Sequence, residues 1–279
     1  MKLITFLHNG RERVGRLEGN RVWPIEGCGS MLEAIRTGAK PESLRSLSAL
    51  SLFSVELLAP IPEPAQDIIC LGLNYRAHAE ESARFKKTVF EPADAAVYFS
   101  KRVNQALPSG WPIESHADLD TQLDYEVELA VVIGRDARNV RKESAYEYVF
   151  GYTILNDVSA RTLQGKHKQW YFGKSLDGFT PMGPCIVTED EFDRPPALSI
   201  RSFVNGDIRQ SANTSEMIHD IPSIIAELSG GMTLKAGTII ATGTPAGVGM
   251  GMQPPRFLKR GDVVRCDIEK IGVLENTVG

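Results

Sequence analysis

The stretch "LDYEVELAVVIG", residues 123–134, combines an apolar strand pattern with two glutamates placed two residues apart. Side chains alternate across a strand, so Glu126 and Glu128 are predicted to share one face. The next two residues of that face, Ala130 and Val132, are apolar, which predicts a face that is at least half buried. A buried carboxylate must find a partner or become neutral. Two interpretations stay open here: an amphipathic strand whose first half is exposed, and a strand that carries a functional site.

The composition is that of an ordinary globular protein: 279 residues, of which 42% are hydrophobic and 24% are charged. The formal net charge is −4 and no basic run is longer than the pair Lys86-Lys87, which argues against a nucleic-acid-binding face. No window approaches the ~18 apolar residues of a membrane span, and no signal peptide is recognised. The four cysteines lie far apart without a CxxC pair. We therefore predict a soluble, reduced, cytoplasmic protein with no nucleic-acid or membrane partner.

Strand patterns outnumber helical patterns along the chain and do not alternate with them. This predicts a mainly β structure with flanking helices (α+β) and argues against a doubly wound sheet. The first strands resemble a meander around an Asn-Gly turn, and "LLAPIPEPAQD" carries three prolines in five residues, as linkers do. We predict a small N-terminal β-rich domain over residues 1–62 and a larger domain over residues 63–279. A helix is predicted after Asn74, which is a candidate for its N-cap.

A third carboxylate, Asp157, ends the strand pattern "YTILND" directly before a short helical pattern. One interpretation is a helix N-cap, a position that aspartate favours. The other places Asp157 beside Glu126 and Glu128. Three carboxylates without cysteine or histidine form the oxygen donor set of a hard cation, which is Mg²⁺, Mn²⁺ or Ca²⁺.

Two further groups are candidates for acid–base chemistry. His78 and Glu81 stand three residues apart on the predicted helix and so face the same side. They fit a general base oriented by a carboxylate, but the nearby charges of Glu80, Arg84 and Lys86 favour a solvated helix face. Lys174 lies in "FGKSLDGFTPMGP", interpreted as a loop rich in glycine and proline. It is either a surface charge or a cation that stabilises a developing enolate oxygen.

The glycine-rich segment "ATGTPAGVGMG", residues 241–251, lacks the Lys-Ser/Thr pair of a phosphate loop. Its backbone amides and Thr244 are suited to holding a carboxylate. A dinucleotide-dependent enzyme is an alternative that the glycine spacing supports only weakly, and no helical pattern follows the segment.

From about Cys70 to Gly279 the chain resembles the fumarylacetoacetate hydrolase (FAH) superfamily. It resembles most the bacterial type that includes 2-hydroxyhepta-2,4-diene-1,7-dioate isomerases and acylpyruvases. The resemblance rests on seven motifs in order: "GLNYRAHAEE", "LDYEVELAVVIGR", "GYTILNDVSARTLQ", "FGKSLDGFTPMGP", "TGTPAGVG", "PPRFLKRGDVV" and "IGVLENTV". Where family members commonly have F-x-K-P, this chain has Phe-Ser-Lys-Arg at residues 99–102, so no role is assigned to Lys101.

The resemblance implies a role for individual residues in three groups. The metal ligands would be Glu126, Glu128 and Asp157, and the ion is usually Mg²⁺, with Mn²⁺ or Ca²⁺ as substitutes. The catalytic residues would be His78 and Glu81, on a lid over the substrate, together with Lys174. The substrate-binding residues would be Tyr75, Arg161, Gln164 and Thr244.

The fold implied by the resemblance is a mixed β-sandwich roll, usually in a homodimer. The predicted function is metal-dependent hydrolysis of a C–C bond in a small acylpyruvate-like oxo acid, through an enolate stabilised by the metal. Alternatives are isomerisation of a 2-hydroxyhepta-2,4-diene-1,7-dioate and decarboxylation of oxaloacetate, with aromatic-compound catabolism as the setting. A metal-dependent binding protein without catalysis is the alternative from another class.

Overall fold

A computed structural model describes residues 1–38, 48–89 and 95–279, and within them the architecture is mainly β. One eleven-stranded sheet, one four-stranded sheet and one two-stranded ribbon contain the strands of the described residues. The strands are β1 Lys2–His8, β2 Arg11–Glu18, β3 Arg21–Pro24, β4 Leu50–Ser51, β5 Glu56–Leu57, β6 Ile68–Gly72, β7 Val97–Lys101, β8 Leu123–Asp124, β9 Val127–Ile133, β10 Val149–Asn156, β11 Ser159–Ala160, β12 Met182–Thr188, β13 Ser199–Val204, β14 Asp207–Asn213, β15 Ile239–Ala241, β16 Val263–Ile268 and β17 Gly272–Thr277. The predicted mainly β fold class is confirmed.

Short helices flank the sheets: α1 Met31–Arg36, α2 Arg76–Phe85, α3 Arg161–Lys166, α4 Tyr171–Lys174 and α5 Ile221–Gly231. The helix α4 was interpreted from sequence as part of a loop, and that interpretation is wrong. The prediction that Asn74 caps α2 is also wrong, because Tyr75 is the N-cap residue. The Asn74 amide donates instead to the Thr242 carbonyl at 2.8 Å, which ties α2 to the glycine-rich segment. Within the described ranges, no helix is long and apolar enough to cross a membrane.

The large sheet is mixed and runs in the order β4-β3-β2-β1-β12-β10-β9-β15-β6-β7, with β5 paired to β1. Its strands pair antiparallel except β15 and β6, which are parallel. The N-terminal strands join this sheet through β1, where Lys2 lies opposite Val187 of β12. The division of the chain at residue 62 stays a prediction.

The strand β9 lies inside the large sheet and is buried along its whole length. Its side chains alternate between two apolar clusters: Leu129 and Val131 pack into one, and Ala130 and Val132 into the other. The predicted alternation is confirmed, and both faces of the sheet are covered at this point. An exposed first half of the strand is therefore excluded.

Candidate metal and active site

The ends of β9 and β10 bring three buried carboxylates together. The Asp157 amide donates to the Glu126 carbonyl at 2.8 Å, and the Glu126 amide donates to Asn156 Oδ1 at 3.0 Å. These bonds hold the two strand ends in register, so that Glu126, Glu128 and Asp157 each offer an oxygen within 4.8 Å of the others. The N-cap interpretation of Asp157 is wrong, because Ala160 is the N-cap residue of α3.

Three cations surround two of these carboxylates. The Lys174 ammonium lies 2.7 Å from Glu126 Oε2 and 2.5 Å from Asp157 Oδ2. Arg161 Nη2 lies 2.7 Å from Glu126 Oε1, and Lys101 Nζ lies 2.7 Å from Asp157 Oδ1. Since a carboxylate oxygen has two lone-pair sites, an oxygen that pairs with one of these cations can still accept a bond to a metal ion.

The electrostatics separate the two glutamates. Burial alone would raise the pKa of Glu126, but the Lys174 and Arg161 charges lower that pKa to about 2. For Glu128, burial acts together with the Asp157 and Glu126 charges, and they raise its pKa well above the usual glutamate value. Burial would lower the pKa of Lys174, but the Asp157 and Glu126 charges outweigh it and raise that pKa. Glu126 is therefore ionised, and Glu128 is the carboxyl of the triad that has no ion-pair partner among the described residues.

The residues present fit a divalent cation. Within the described residues Glu128 has no ion-pair partner, and the Gly243 amide donates to its Oε2 at 2.9 Å. A cation beside Glu128 would favour its ionised form. An all-carboxylate donor set is the one that hard cations prefer. The triad could therefore hold a divalent metal ion of this kind.

The helix α2 carries the histidine–glutamate pair on its buried face. His78 and Glu81 are only 5% and 6% exposed, and His78 Nδ1 lies 3.3 Å from Glu81 Oε2. The Gly247 amide donates to both Glu81 oxygens at 3.1 Å. The interpretation as a solvated helix face is therefore wrong.

The glycine-rich segment binds the protein's own carboxylates through its backbone. The amides of Gly243, Gly247 and Gly249 donate to Glu128, Glu81 and Asp124, respectively. Asp124 accepts a further bond from the Met250 amide at 2.9 Å. No α-helix begins at this segment, which is part of the described residues. These amides fix the positions of three carboxylates: Glu128 of the triad, Glu81 beside His78, and Asp124, which pairs with Arg161.

Gly251 leaves the space that Glu81 fills, and this leads to a testable expectation. A Cβ atom at residue 251 would lie 2.0 Å from the Glu81 carboxyl carbon, so Gly251→Ala must displace that carboxylate. Displacement by about 1 Å costs up to about 10²-fold in rate. We expect kcat to fall by that amount with the divalent-metal affinity unchanged, measured by steady-state kinetics and calorimetry.

Gly230→Ala is the control for this substitution, because a Cβ atom at residue 230 meets nothing within 4 Å. Wild-type kcat in both alanine variants would show that the position of Glu81 does not affect turnover.

A cavity of about 130 Å³ lies between α2, α3, the glycine-rich segment and the triad. It brings together seven of the ten predicted site residues: His78, Glu126, Glu128, Arg161, Gln164, Lys174 and Thr244. Of the other three, Glu81 supports His78 and Asp157 lies behind Lys174. Tyr75 is 2% exposed, and its hydroxyl has no hydrogen-bond partner within the described residues.

Arg161 and Gln164 act as a pair on α3. Arg161 Nε donates to Asp124 Oδ2 at 2.9 Å, and its Nη1 donates to Gln164 Oε1 at 3.0 Å. The Gln164 amide group consequently presents donors rather than an acceptor to a ligand. Donors suit a carboxylate or an oxo group.

The Thr244 hydroxyl is not available as a hydrogen-bond donor to a ligand. Its hydroxyl donates to the Val127 carbonyl at 2.9 Å and accepts from Gln210 Nε2 at 2.6 Å. The hydroxyl hydrogen is therefore already used within the protein. If Thr244 contacts a substrate carboxylate, its backbone amide is the donor.

The sequence reasoning missed three residues that hold this site: Lys101, Asp124 and Gln210. Lys101 is fully buried against Asp157, and the change from proline to Arg102 does not displace it. The F-x-K part of the family motif was a usable signal for Lys101. Asp124 lies within the motif "LDYEVELAVVIGR". No sequence signal identified Gln210, which comes from the distant strand β14.

Residues 67–279 match the family model described as Fumarylacetoacetate (FAA) hydrolase C-terminal. The chain belongs to the fumarylacetoacetate hydrolase family. Similar proteins include oxaloacetate tautomerase YisK of Bacillus subtilis, which is 47% identical over 240 residues, or 86% of this chain and 78% of YisK. Both the family and the fold predicted from the seven motifs are confirmed.

Solved structures of this family cover the whole chain. The fumarylacetoacetate hydrolase of psychrophilic Exiguobacterium antarcticum (EaFAH) is 44% identical with a TM-score of 0.87, covering 100% of this chain and 99% of that one. Maleylpyruvate hydrolase from Sphingobium sp. SYK-6, solved with manganese(II) and pyruvate, is 30% identical with a TM-score of 0.76, covering 100% and 98%. The chain is a metal-dependent enzyme of the fumarylacetoacetate hydrolase superfamily that acts on a small molecule.

Proposed function

We propose that the protein catalyses proton transfer at the carbon next to the oxo group of a small 2-oxo acid, with keto–enol tautomerisation of oxaloacetate as the reaction. The observation that carries the proposal is one small cavity lined by His78, by Lys174 and by two carboxylates of the triad. The 47% identity to an oxaloacetate tautomerase supports it. A volume of about 130 Å³ is below the usual range of ligand pockets, which favours a small acid.

The enol of oxaloacetate carries a hydroxyl on C2, and conversion to the keto form removes that proton and adds one to C3. Glu81 accepts the Nδ1–H of His78, which leaves Nε2 to take up and release the transferred proton. Lys174 spends two of its three N–H donors on Glu126 and Asp157 and keeps one for the C2 oxygen. That donor would stabilise negative charge as the hydroxyl loses its proton.

The metal ion would be held by Glu126, Glu128 and Asp157. When bound, it supplies a Lewis acid that polarises the 2-oxo group and lowers the energy of the enolate. We propose Mg²⁺ as the resident ion, with Mn²⁺ and Ca²⁺ as substitutes. The manganese(II) in the Sphingobium structure supports an ion of this class.

A second candidate is hydrolysis of a short acylpyruvate. The observation that favours it is the buried His78–Glu81 pair, since a histidine oriented by a carboxylate is suited to activating water. His78 would take a proton from water that attacks the distal carbonyl. The C–C bond would then break to give an acid and the enolate of pyruvate. Isomerisation of a hydroxydiene-dioate and decarboxylation of oxaloacetate also pass through an enolate-type intermediate and remain secondary alternatives.

The proposed cellular setting and oligomeric state rest on the proposed chemistry and on what is usual in the family. We propose a cytoplasmic homodimer, as is usual for the family, that acts on oxo acids of the kind produced in aromatic-compound catabolism. Size-exclusion chromatography with light scattering would test the dimer.

The decisive experiment follows the decay of enol oxaloacetate absorbance after the protein is stripped with EDTA and reloaded with Mg²⁺ or Mn²⁺. We expect metal-dependent acceleration over the same metal in buffer without protein. Short acylpyruvates, hydroxymuconate-type dienes and the decarboxylation of oxaloacetate form the comparison panel. If the loaded protein tautomerises oxaloacetate no faster than metal in buffer, the proposal fails. Turnover of an acylpyruvate alone would establish the second candidate.

A further inference from the structure

Lys86 is a cation at the cavity that the proposed chemistry leaves unused. It directly follows α2 and lines the cavity together with Arg161, Gln164 and Lys174. Arg161 and Lys174 are both committed to carboxylates of the site. No carboxylate of the described residues lies within ion-pair distance of Lys86, and its ammonium group contacts an aromatic ring. Among the described residues, Lys86 is thus a cation that lines the cavity and has no carboxylate partner.

Trp170 forms a platform for this lysine. The Lys86 ammonium lies 5.5 Å from the Trp170 ring centroid, within the range of a cation–π interaction. The ring lies against Gly72, where a Cβ atom would come within 2.3 Å of it, and packs edge-on to Phe99 at 5.2 Å. Close packing on Gly72 fixes the Trp170 ring, and the cation–π contact places the Lys86 ammonium over that ring beside the cavity.

The charges around Lys86 favour an incoming anion. Partial burial and the nearby Arg161 charge lower the pKa of Lys86 below the usual lysine value. An anion between the two cations would relieve their repulsion. Glu126, Glu128 and Lys174 line the same cavity, so an anion at Lys86 and a head group at the triad would belong to one bound molecule.

We propose that Lys86, held on Trp170, binds the distal carboxylate of a dicarboxylic substrate and so selects dicarboxylic over monocarboxylic 2-oxo acids. The inference rests on the proposed function for the head of the substrate, which lies at the triad. Lys86 is a specificity-determining residue and takes no part in proton transfer. The small cavity requires the two acid groups to be separated by a short chain.

The test compares two inert ligands that differ only in a distal carboxylate. Malate and lactate share a 2-hydroxy acid head, and neither is turned over by enolisation. In the Mg²⁺-loaded protein we expect Lys86→Met to lower the affinity for malate by about tenfold, as for the loss of a charged hydrogen bond. The affinity for lactate should fall by less than about twofold. The KM for oxaloacetate should rise by about tenfold with kcat within about threefold of wild type.

Lys87→Met is the matched control, because Lys87 is the next residue and is exposed like Lys86, but does not line the cavity. Lys86→Arg should restore most of the malate affinity, since it restores the charge. If Lys86→Met lowers the affinities for malate and lactate equally, Lys86 has a structural role and the proposal is overturned. Unchanged malate affinity, or a wild type that binds malate no better than lactate, would also overturn it.

The outcomes also separate this inference from the proposed function. Suppose that wild type does not turn over oxaloacetate but that Lys86→Met still lowers the affinity for malate more than that for lactate. Dicarboxylate recognition then stands and the tautomerase proposal fails. If oxaloacetate is turned over and its KM is the same in wild type and Lys86→Met, the tautomerase proposal stands and the role of Lys86 is overturned.

Discussion

His78→Ala is expected to lower kcat by about 10²–10⁴-fold, the usual contribution of a positioned general acid or base. The reason is geometric: His78 lines the cavity, and Glu81 fixes its Nδ1, so that one ring nitrogen is left to exchange a proton with the substrate. The measurement is kcat for the best substrate of the oxo-acid panel at saturating Mg²⁺. Oxalate affinity is measured alongside, because oxalate needs only the metal and its neighbours.

Glu81→Gln should lower kcat by less than His78→Ala, since it mis-orients the imidazole without removing it. Glu81 also accepts the Gly247 amide, a bond that the glutamine oxygen can keep, so α2 should stay in place. We expect oxalate affinity to change little in either variant. Turnover within about threefold of wild type in both variants, far from the loss of a general base, would remove the catalytic role. The helix α2 would then serve only to cover the cavity.

Loss of one triad carboxylate is expected to abolish metal-dependent activity. Glu128→Gln keeps the shape of the side chain and the Gly243 bond but removes the charge that no cation of the described residues compensates. We expect the affinity for Mg²⁺ or Mn²⁺ to fall by more than the about 10–100-fold that loss of a hydrogen-bond partner of a metal ligand costs. Calorimetric titration with Mn²⁺ checks this. Unchanged affinity in both Glu128→Gln and Glu126→Gln would contradict the metal assignment.

The two glutamine variants should differ in stability without metal. Glu126 pairs with Arg161 and Lys174, so Glu126→Gln should cost about 3 kcal/mol, the low end for a broken buried pair, because each cation keeps a second carboxylate. Glu128→Gln removes a buried carboxyl with a raised pKa and should melt as high as wild type or higher. Thermal unfolding in EDTA gives both values.

The pH dependence of that difference has a definite sign. A carboxyl whose pKa is raised on folding holds its proton better in the folded state than in the unfolded state. The folded state is therefore favoured at low pH, and this contribution is lost as pH rises from the unfolded value of about 4.3 through the folded pKa of Glu128. The stability of metal-free Glu128→Gln relative to wild type should consequently increase with pH. A difference that is constant with pH would contradict an uncompensated Glu128.

Much of the fold was accessible from local pattern. Alternation along β9 predicted its two faces, and strands that do not alternate with helices predicted a mainly β structure. The order of strands in the large sheet was not accessible. Pairs such as β1 with β12 and β15 with β6 join segments far apart in sequence, and local periodicity carries no information on such pairing.

The sequence motifs identified most residues of the site. Residue type and spacing alone did not show what each of these residues does. Residue type and spacing alone favour a solvated helix face for His78 and Glu81, because periodicity gives a shared side but not what covers it. Burial against the glycine-rich segment decides between the two interpretations. The catalytic and substrate-binding roles stay proposals until the variants are measured.

The sequence by itself determined the chemical inventory: a Glu-x-Glu pair on an apolar strand, an aspartate at a strand end and a histidine–glutamate pair on a helix. Tertiary structure decided which charges compensate each other. Lys101, Arg161 and Lys174 reach the triad from three separate elements and pair with Glu126 and Asp157. Within the part of the chain that the structure describes, Glu128 has no ion-pair partner. The physical reason is that the energy of a buried charge depends on what lies within a few ångströms of it. Such distances are set by the packing of remote segments and not by the spacing of residues along the chain.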